Sequence, residues 1–234
     1  PRVIPAKVEM GALYSGTTVR VEGTAADGAQ VIVAVRGGEK DEVFNRKRQF
    51  GPIWITSGRV HVKGVPSLWM VFSGEPAAQT LPRETINRLG LDSAAIESHI
   101  HLEPEESDLP ILRRHYLDWK RQQGLYSEDS SSVRTARGDG DGDRANWSVE
   151  FLWPKTAPPG RYRVLVYECR YNEVIESAEV SLEAVKVGLP SRIADMAANR
   201  ASFYGMLCIL IAAAAGFGMD RIVTLLGGTR RGGH

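Results

Sequence analysis

The chain holds 234 residues, with 29 Lys+Arg against 28 Asp+Glu, a formal net charge of +1, 43% hydrophobic residues and 24% charged ones. These totals exclude a disordered chain, a collagen-like chain and a chain made mostly of membrane spans, and the near-neutral balance argues against a nucleic-acid binder. With two cysteines, neither a disulfide scaffold nor a four-cysteine zinc site can form within one chain.

The first residue is Pro1 rather than Met, which leads us to expect a processed chain, exported and relieved of its signal peptide. From residue 1 to about 75 the pattern predicts strand after strand. Val19 and Val21 alternate with Thr18, Arg20 and Glu22, and Asp27-Gly28 is a hairpin signal. Gln30 to Val35 is apolar on both faces, as in a central strand. Short runs follow at Ile53 to Ile55, at Val60 and Val62, and at Leu68 to Phe72. Gly51-Pro52, Gly58 and Gly64 punctuate the gaps.

Between about 76 and 125 the period changes to that of helices. Leu81 to Leu89 and Ser93 to Ile100 read as helical, and a longer helix starts near Ser107-Asp108 and stops at Gly124. In it Leu109, Leu112, Tyr116 and Trp119 form one apolar stripe, with Arg113, Arg114, Lys120 and Arg121 mostly on other faces. Residues 127–146 are polar and Gly-rich and are expected to form an exposed, flexible loop. Strands return with Trp147, Val149, Phe151 and Trp153, then Tyr162, Val164 and Val166, then Val174 to Val187. Pro158-Pro159-Gly160 and Asn172 mark the turns. Short strands at this spacing predict a mainly β fold, an immunoglobulin-like β-sandwich with an α-helical insertion. Tyr162 stands where a tyrosine corner would put it.

The C-terminal part differs in kind. Residues 201–219 carry no charge, and as a helix they would span roughly 28 Å, about the hydrocarbon thickness of a bilayer. A buried core helix is the alternative, but a small domain rarely surrounds a helix that is apolar on every face. The tail after it carries Arg221, Arg230 and Arg231 against Asp220, so the positive-inside rule places it in the cytoplasm. The expected organisation is an extracytoplasmic domain over 1–190, a juxtamembrane and transmembrane helix over 191–226, and a cytoplasmic tail over 227–234. Within the span Ala212/Gly216 and Ala214/Gly218 are small-xxx-small pairs that permit close helix packing.

Several short segments, in this order, resemble the alphaproteobacterial putative transmembrane protein family (Alph_Pro_TM) over nearly the whole chain. They are Arg46-Lys47-Arg48, Gly51-Pro52-Ile53-Trp54, Val65-Pro66-Ser67-Leu68-Trp69, Gly124-Leu125-Tyr126, Pro158-Pro159-Gly160-Arg161-Tyr162 and Ala201-Ser202-Phe203-Tyr204-Gly205. The acidic loop at 138–143 and the His99-x-His101 pair depart from the pattern. The resemblance implies an exported domain on one C-terminal helix and no known reaction. It also implies a gene neighbourhood of membrane permeases or periplasmic electron-transfer proteins.

Chemistry-bearing motifs are sparse. Asp139, Asp141, Asp143 and Glu150 match calcium-loop positions 1, 3, 5 and 12, but Arg144 occupies the position of the usual glycine. His99 and His101 would share a face only in extended chain, and solvated helix-end histidines are the plainer reading. There is no GxSxG, HExxH, P-loop or GxGxxG motif, and no acid–base pair stands out. Arg46, Lys47 and Arg48, beside Phe50 and Trp54, suit a docking patch for an acidic partner or lipid head groups, or equally a charged hairpin or edge strand that discourages pairing.

The function expected from these features is that of a non-catalytic accessory or scaffolding subunit of a membrane-associated, transport or electron-transfer complex. It would sit in a bacterial inner membrane with its N-terminal domain in the periplasm. It would hold the bilayer through residues 201–219, bind other membrane or periplasmic subunits, and need no cofactor. The alternatives are a periplasmic ligand- or metal-binding module serving a transporter or redox chain, and an enzyme with an unrecognised site.

Overall fold

A computed structural model describes residues 1–50, 53–103, 109–137, 144–188, 193 and 196–227; side chains are described at these positions except 46–50, 53–57, 109, 137, 218 and 220–227. The chain forms two compact units. One comprises Pro1–Met10 and Tyr14–Val185; the other comprises Gly11–Leu13 and the chain from Lys186 onward.

The larger unit is mainly β. A four-stranded sheet runs in the order β1 (Arg2–Ile4), β3 (Thr17–Ala26), β11 (Arg144–Trp153), β10 (Arg134–Arg137), antiparallel throughout. A six-stranded sheet runs β2 (Lys7–Met10), β13 (Glu173–Lys186), β12 (Gly160–Arg170), β4 (Gln30–Arg36), β7 (Trp69–Ser73), β9 (Tyr126–Asp129). A third sheet holds β5 (Glu39–Phe50), β6 (Ile53–Pro66) and β8 (His101–Glu103).

Alternation decides which side chains go inside. In β11, Ala145, Trp147, Val149, Phe151 and Trp153 are buried, while Arg144, Asn146, Glu150 and Leu152 are exposed. Phe151 stacks on Phe72 of β7 at 4.6 Å, and Trp153 meets Tyr162 of β12 edge-on at 4.7 Å. The first two sheets therefore share one core. Val31 to Val35 in β4 are all buried, as a central strand covered on both faces requires. Ile86, Leu91, Ala95 and Ile96 of the helical segment belong to the same buried cluster.

That helical segment is the crossover between two parallel strands. β7 and β9 pair in parallel, which a tight turn cannot achieve. The 52 residues between them supply α1 (Ala77–Thr80), α2 (Arg83–Leu89), α3 (Ser93–Ser98), β8 and α4 (Leu109–Gln122). The C-terminus of α2 is held by Trp69 Nε1, which donates to Gly90 O at 2.9 Å, and by the Arg36 guanidinium, which donates to Leu89 O and Gly90 O. A cation at a helix C-terminus complements its dipole. Tyr162 O–H donates to Pro158 O, the bond of a tyrosine corner.

Three sequence expectations are revised. Asp27-Gly28 does make a turn, with Ala29 N–H donating to Ala26 O at 3.0 Å. Its flanking strands β3 and β4 enter different sheets, so it is no β-hairpin. The turn chemistry is local, whereas the choice of sheet is set by burial. Gly58 and Gly64 do not end strands: β6 runs through both. The register with β5 slips by one residue between Lys40/Glu42 and between Arg46/Lys47, so each glycine sits at or beside a bulge. Residues 127–146 are not one flexible loop either. β9 extends to Asp129, Arg134–Arg137 pairs with β11, and β11 begins at Arg144; residues 138–143 lie outside the described ones. Edge pairing can recruit a polar segment that has no inward hydrophobic pattern.

The smaller unit contains α5 (Ala201–Gly227), a 27-residue helix. From Ala201 to Phe217 every residue but Gly205 is exposed, Ile209, Ile211 and Phe217 among them. The side chains are described without a break only to Phe217, and among the described residues no helix is long and apolar enough to cross a membrane.

Candidate functional site

The helix α4 and the third sheet build an apolar cavity in the larger unit. On α4 the stripe predicted from sequence is present: Leu112, Tyr116 and Trp119 face the sheet, and His115 lies beside them at the same helical period. The opposing wall is Phe44 and Asn45 of β5, Val60 and Val62 of β6, and Leu102 of β8. Phe44 meets Tyr116 and Trp119 edge-on, with centroids 5.5 and 5.1 Å apart. The stripe does not close against the sheet, however. It leaves a cavity of about 350 Å³, and Trp119 remains 37% exposed at its margin. The volume lies at the lower end for small-molecule sites.

At the end of this cavity α4 is fastened by an ion pair. Lys120 is 1% exposed; its ammonium donates to Glu42 Oε1 at 2.6 Å. Tyr116 O–H donates to the other carboxylate oxygen at 3.2 Å. Lys120 Nζ also lies 5.4, 5.3 and 5.6 Å from the ring centroids of Tyr116, Trp119 and Tyr126, within cation–π range. Local backbone chemistry sets this up. Gly124, at φ 70°, ends α4 in a Schellman turn, with Leu125 N–H bonded to Lys120 O and Gly124 N–H to Arg121 O. Leu125 O then accepts from Trp69 N–H, which starts β9 beside β7 and brings Tyr126 under the lysine. Tyr126 O–H donates to Pro66 O at 2.7 Å, tying in the end of β6. Burial raises the Tyr116 and Tyr126 phenols well above their ordinary range.

Sequence reasoning set Lys120 among residues facing away from the apolar stripe. It shares the stripe's side at i+4 from Tyr116, which was the available signal. Its partner Glu42 is 78 residues away and could not be read from the sequence.

The other sequence candidates are dispersed. Arg46, Lys47 and Arg48 lie on β5, an edge strand of its sheet, and pair in register with Gly58, Thr56 and Ile55; Trp54 pairs with Gln49. Their backbone position is that of a charged edge. Ala212, Ala214 and Gly216 are exposed on α5, and a Cβ built on Gly216 meets nothing within 4 Å. Gly218 also belongs to α5. Asp139, Asp141 and Asp143 lie outside the described residues. Glu150, the fourth candidate calcium ligand, stands directly opposite Arg20 on β3 and accepts from its Nε at 2.7 Å. His99 caps α3 in helical conformation while His101 opens β8, so the extended HxH geometry does not form. No cluster of three or more His, Cys, Asp or Glu suited to a metal occurs among the described residues. Cys169 is buried and its thiol is pushed up to about 12, mainly by burial and then by Glu168, which fits a core residue.

The family model described as "Putative transmembrane protein (Alph_Pro_TM)" matches residues 2–224, and the chain belongs to this family. No curated protein and no solved structure matches it.

Proposed function

With that membership as premise, we propose that this chain is a single-pass, membrane-anchored extracytoplasmic protein. It serves as a non-catalytic accessory subunit of a membrane-associated assembly, in transport or electron transfer. The observation that carries the reading is α5, an apolar helix whose described side chains are exposed from Ala201 to Phe217 apart from Gly205. Such a surface is costly in water and requires a hydrocarbon or protein environment. The charge-free run 201–219 suits the bilayer, and Arg221, Arg230 and Arg231 favour a cytoplasmic C-terminus, which leaves the β domain in the periplasm of a bacterial inner membrane.

In this reading the β domain supplies recognition. Its two-sheet core and the Tyr162–Pro158 bond support an immunoglobulin-like sandwich, although the parallel β7–β9 edge departs from that pattern. The partner surface is the β5–β6 hairpin, with Arg46, Lys47, Arg48 and Trp54 near its tip. Ala212, Ala214, Gly216 and Gly218 offer a second contact inside the bilayer. Tethering raises the effective concentration near a membrane partner, so a modest interface suffices.

Affinity purification of the full chain in mild detergent tests this. A partner subunit is expected to co-purify at fixed stoichiometry and to be lost when Arg46, Lys47 and Arg48 are changed together to Glu. Recovery of the chain alone as a monomer would refute the subunit role.

A further inference from the structure

Tyr171 is a side chain that neither its backbone nor its packing calls for. β12 and β13 pair up to Arg170 and Glu173, which leaves Tyr171 and Asn172 as a two-residue turn, at φ 52° and 64°. Two positive φ values mark a type I′ turn, a conformation that favours Asn-Gly and strains a bulky side chain. Asn172 tolerates it. Tyr171 gains nothing from the core in return. It is 84% exposed, and the contact its ring makes among the described residues is with the Arg170 guanidinium, 5.0 Å from the centroid. Strain held at an exposed aromatic residue is typical of binding sites.

Beside this turn lies a shallow cavity of about 350 Å³. The β12–β13 turn, the start of β4 and the segment from β7 into α1 meet there. Its wall is polar and electrically balanced, with Glu75 and Arg170 as its charged residues. Gln30, Gln79 and Asn172 bring side-chain amides that no hydrogen bond engages among the described residues, and Thr80 adds a hydroxyl.

We infer that this cavity binds an uncharged pyranose sugar, as a unit of a neutral glycan, with Tyr171 as its platform. Each feature suits that class. Sugar hydroxyls both donate and accept hydrogen bonds, and so do the three amides. A wall of balanced charge gives no advantage to an anion or a cation. The flat ring of Tyr171 offers an apolar face with a polar tip to the C–H face of a sugar ring, and the stacked Arg170 fixes its position. An open cavity of this volume takes about one or two sugar units of a longer chain. The site lies wholly within the larger unit, so the inference is independent of whether α5 spans a bilayer.

Saturation-transfer NMR and calorimetry test it on the full chain, in a detergent without a sugar headgroup. The probes are the methyl glycosides of glucose, galactose, mannose and N-acetylglucosamine, with that of glucuronic acid as the anionic comparison. At least one neutral glycoside is expected to bind with a Kd of about 1 mM or below, ordinary for a ligand of its size, and more tightly than the glucuronide. Tyr171→Gly should raise the melting temperature by about 2–4 °C, because glycine relieves the turn. The same change should weaken binding about fivefold or more, through loss of the platform. Tyr171→Phe should keep the binding, and Gln79→Ala, an exposed change, should weaken it about fivefold, the worth of one hydrogen bond. Binding by none of the neutral glycosides, tighter binding of the glucuronide, or equal binding by Tyr171→Gly and the parent overturns the proposal. So does a lower melting temperature for Tyr171→Gly, which would make Tyr171 a packing residue. A co-purifying subunit that depends on Tyr171 while no sugar binds also overturns it, since the turn would then be a protein contact.

Discussion

Lys120 and Glu42 are the pair on which the docking of α4 turns. Lys120 is 1% exposed, with a carboxylate 2.6 Å from its ammonium and three aromatic faces around it. Removing one partner leaves the other buried and unpaired, a change that costs about 3 kcal/mol or more. Glu42→Gln in the full chain should therefore lower the urea midpoint clearly. Adding Lys120→Met to that variant should recover part of the loss, because the buried charge is gone. Equal stability of Glu42→Gln and the parent would mean that the pair is merely a surface contact. A second residue-scale test concerns Gly37. A Cβ there would lie 2.1 Å from Ser67 Oγ and 3.0 Å from Leu68 N, while at Gly38 it would meet nothing within 4 Å. Gly37→Ala should cost about 2 kcal/mol through overpacking and Gly38→Ala much less. The two melting temperatures measured side by side decide this.

Among the elements, α4, β9 and β12 carry buried phenols, and their titration gives the fold a pH signature. Tyr116, Tyr126 and Tyr162 all have raised folded-state values, in each case chiefly because burial disfavours the phenolate. A raised value means the folded state holds the proton more tightly than the unfolded chain, whose tyrosines titrate near about 10. The stability tied to these phenols is thus fully present below that pH and is lost as pH rises beyond it. Melting temperature should fall steeply on the alkaline side, and tyrosinate absorbance at these positions should appear only together with unfolding. Free ionisation in the folded state would contradict their burial. At this scale the sequence was a good guide wherever a period was long and one-sided. The α4 stripe, the alternation of Trp147 to Trp153 and the apolar run in β4 all describe real faces. It misled where one residue has two uses. Gly64 can end a strand or permit a bulge, and Asp27-Gly28 can join strands of one sheet or of two. It was silent on contacts made only by topology, such as Glu42 with Lys120, or the parallel pairing that makes residues 77–122 a crossover.

For the whole molecule, the net charge of +1 averages two unlike parts. The β domain has a buried core of its own, whereas α5 carries apolar side chains on its exposed surface. That contrast, together with membership in a transmembrane protein family, supports the anchored reading. The charge-free run 201–219, on which the proposed anchor rests, was plain in the sequence because it is a purely local property. The α4 cavity was the least legible, since its two walls come from segments about 50 residues apart. The measurement that bears most directly on the central claim is fractionation of the full chain expressed in bacteria, before and after alkaline carbonate extraction. It is compared with a variant carrying Ile209→Arg and Ile211→Arg. The anchored reading predicts that the parent chain stays in the membrane pellet through extraction and that the double variant is released. A parent chain recovered in the soluble fraction as a monodisperse species would contradict it.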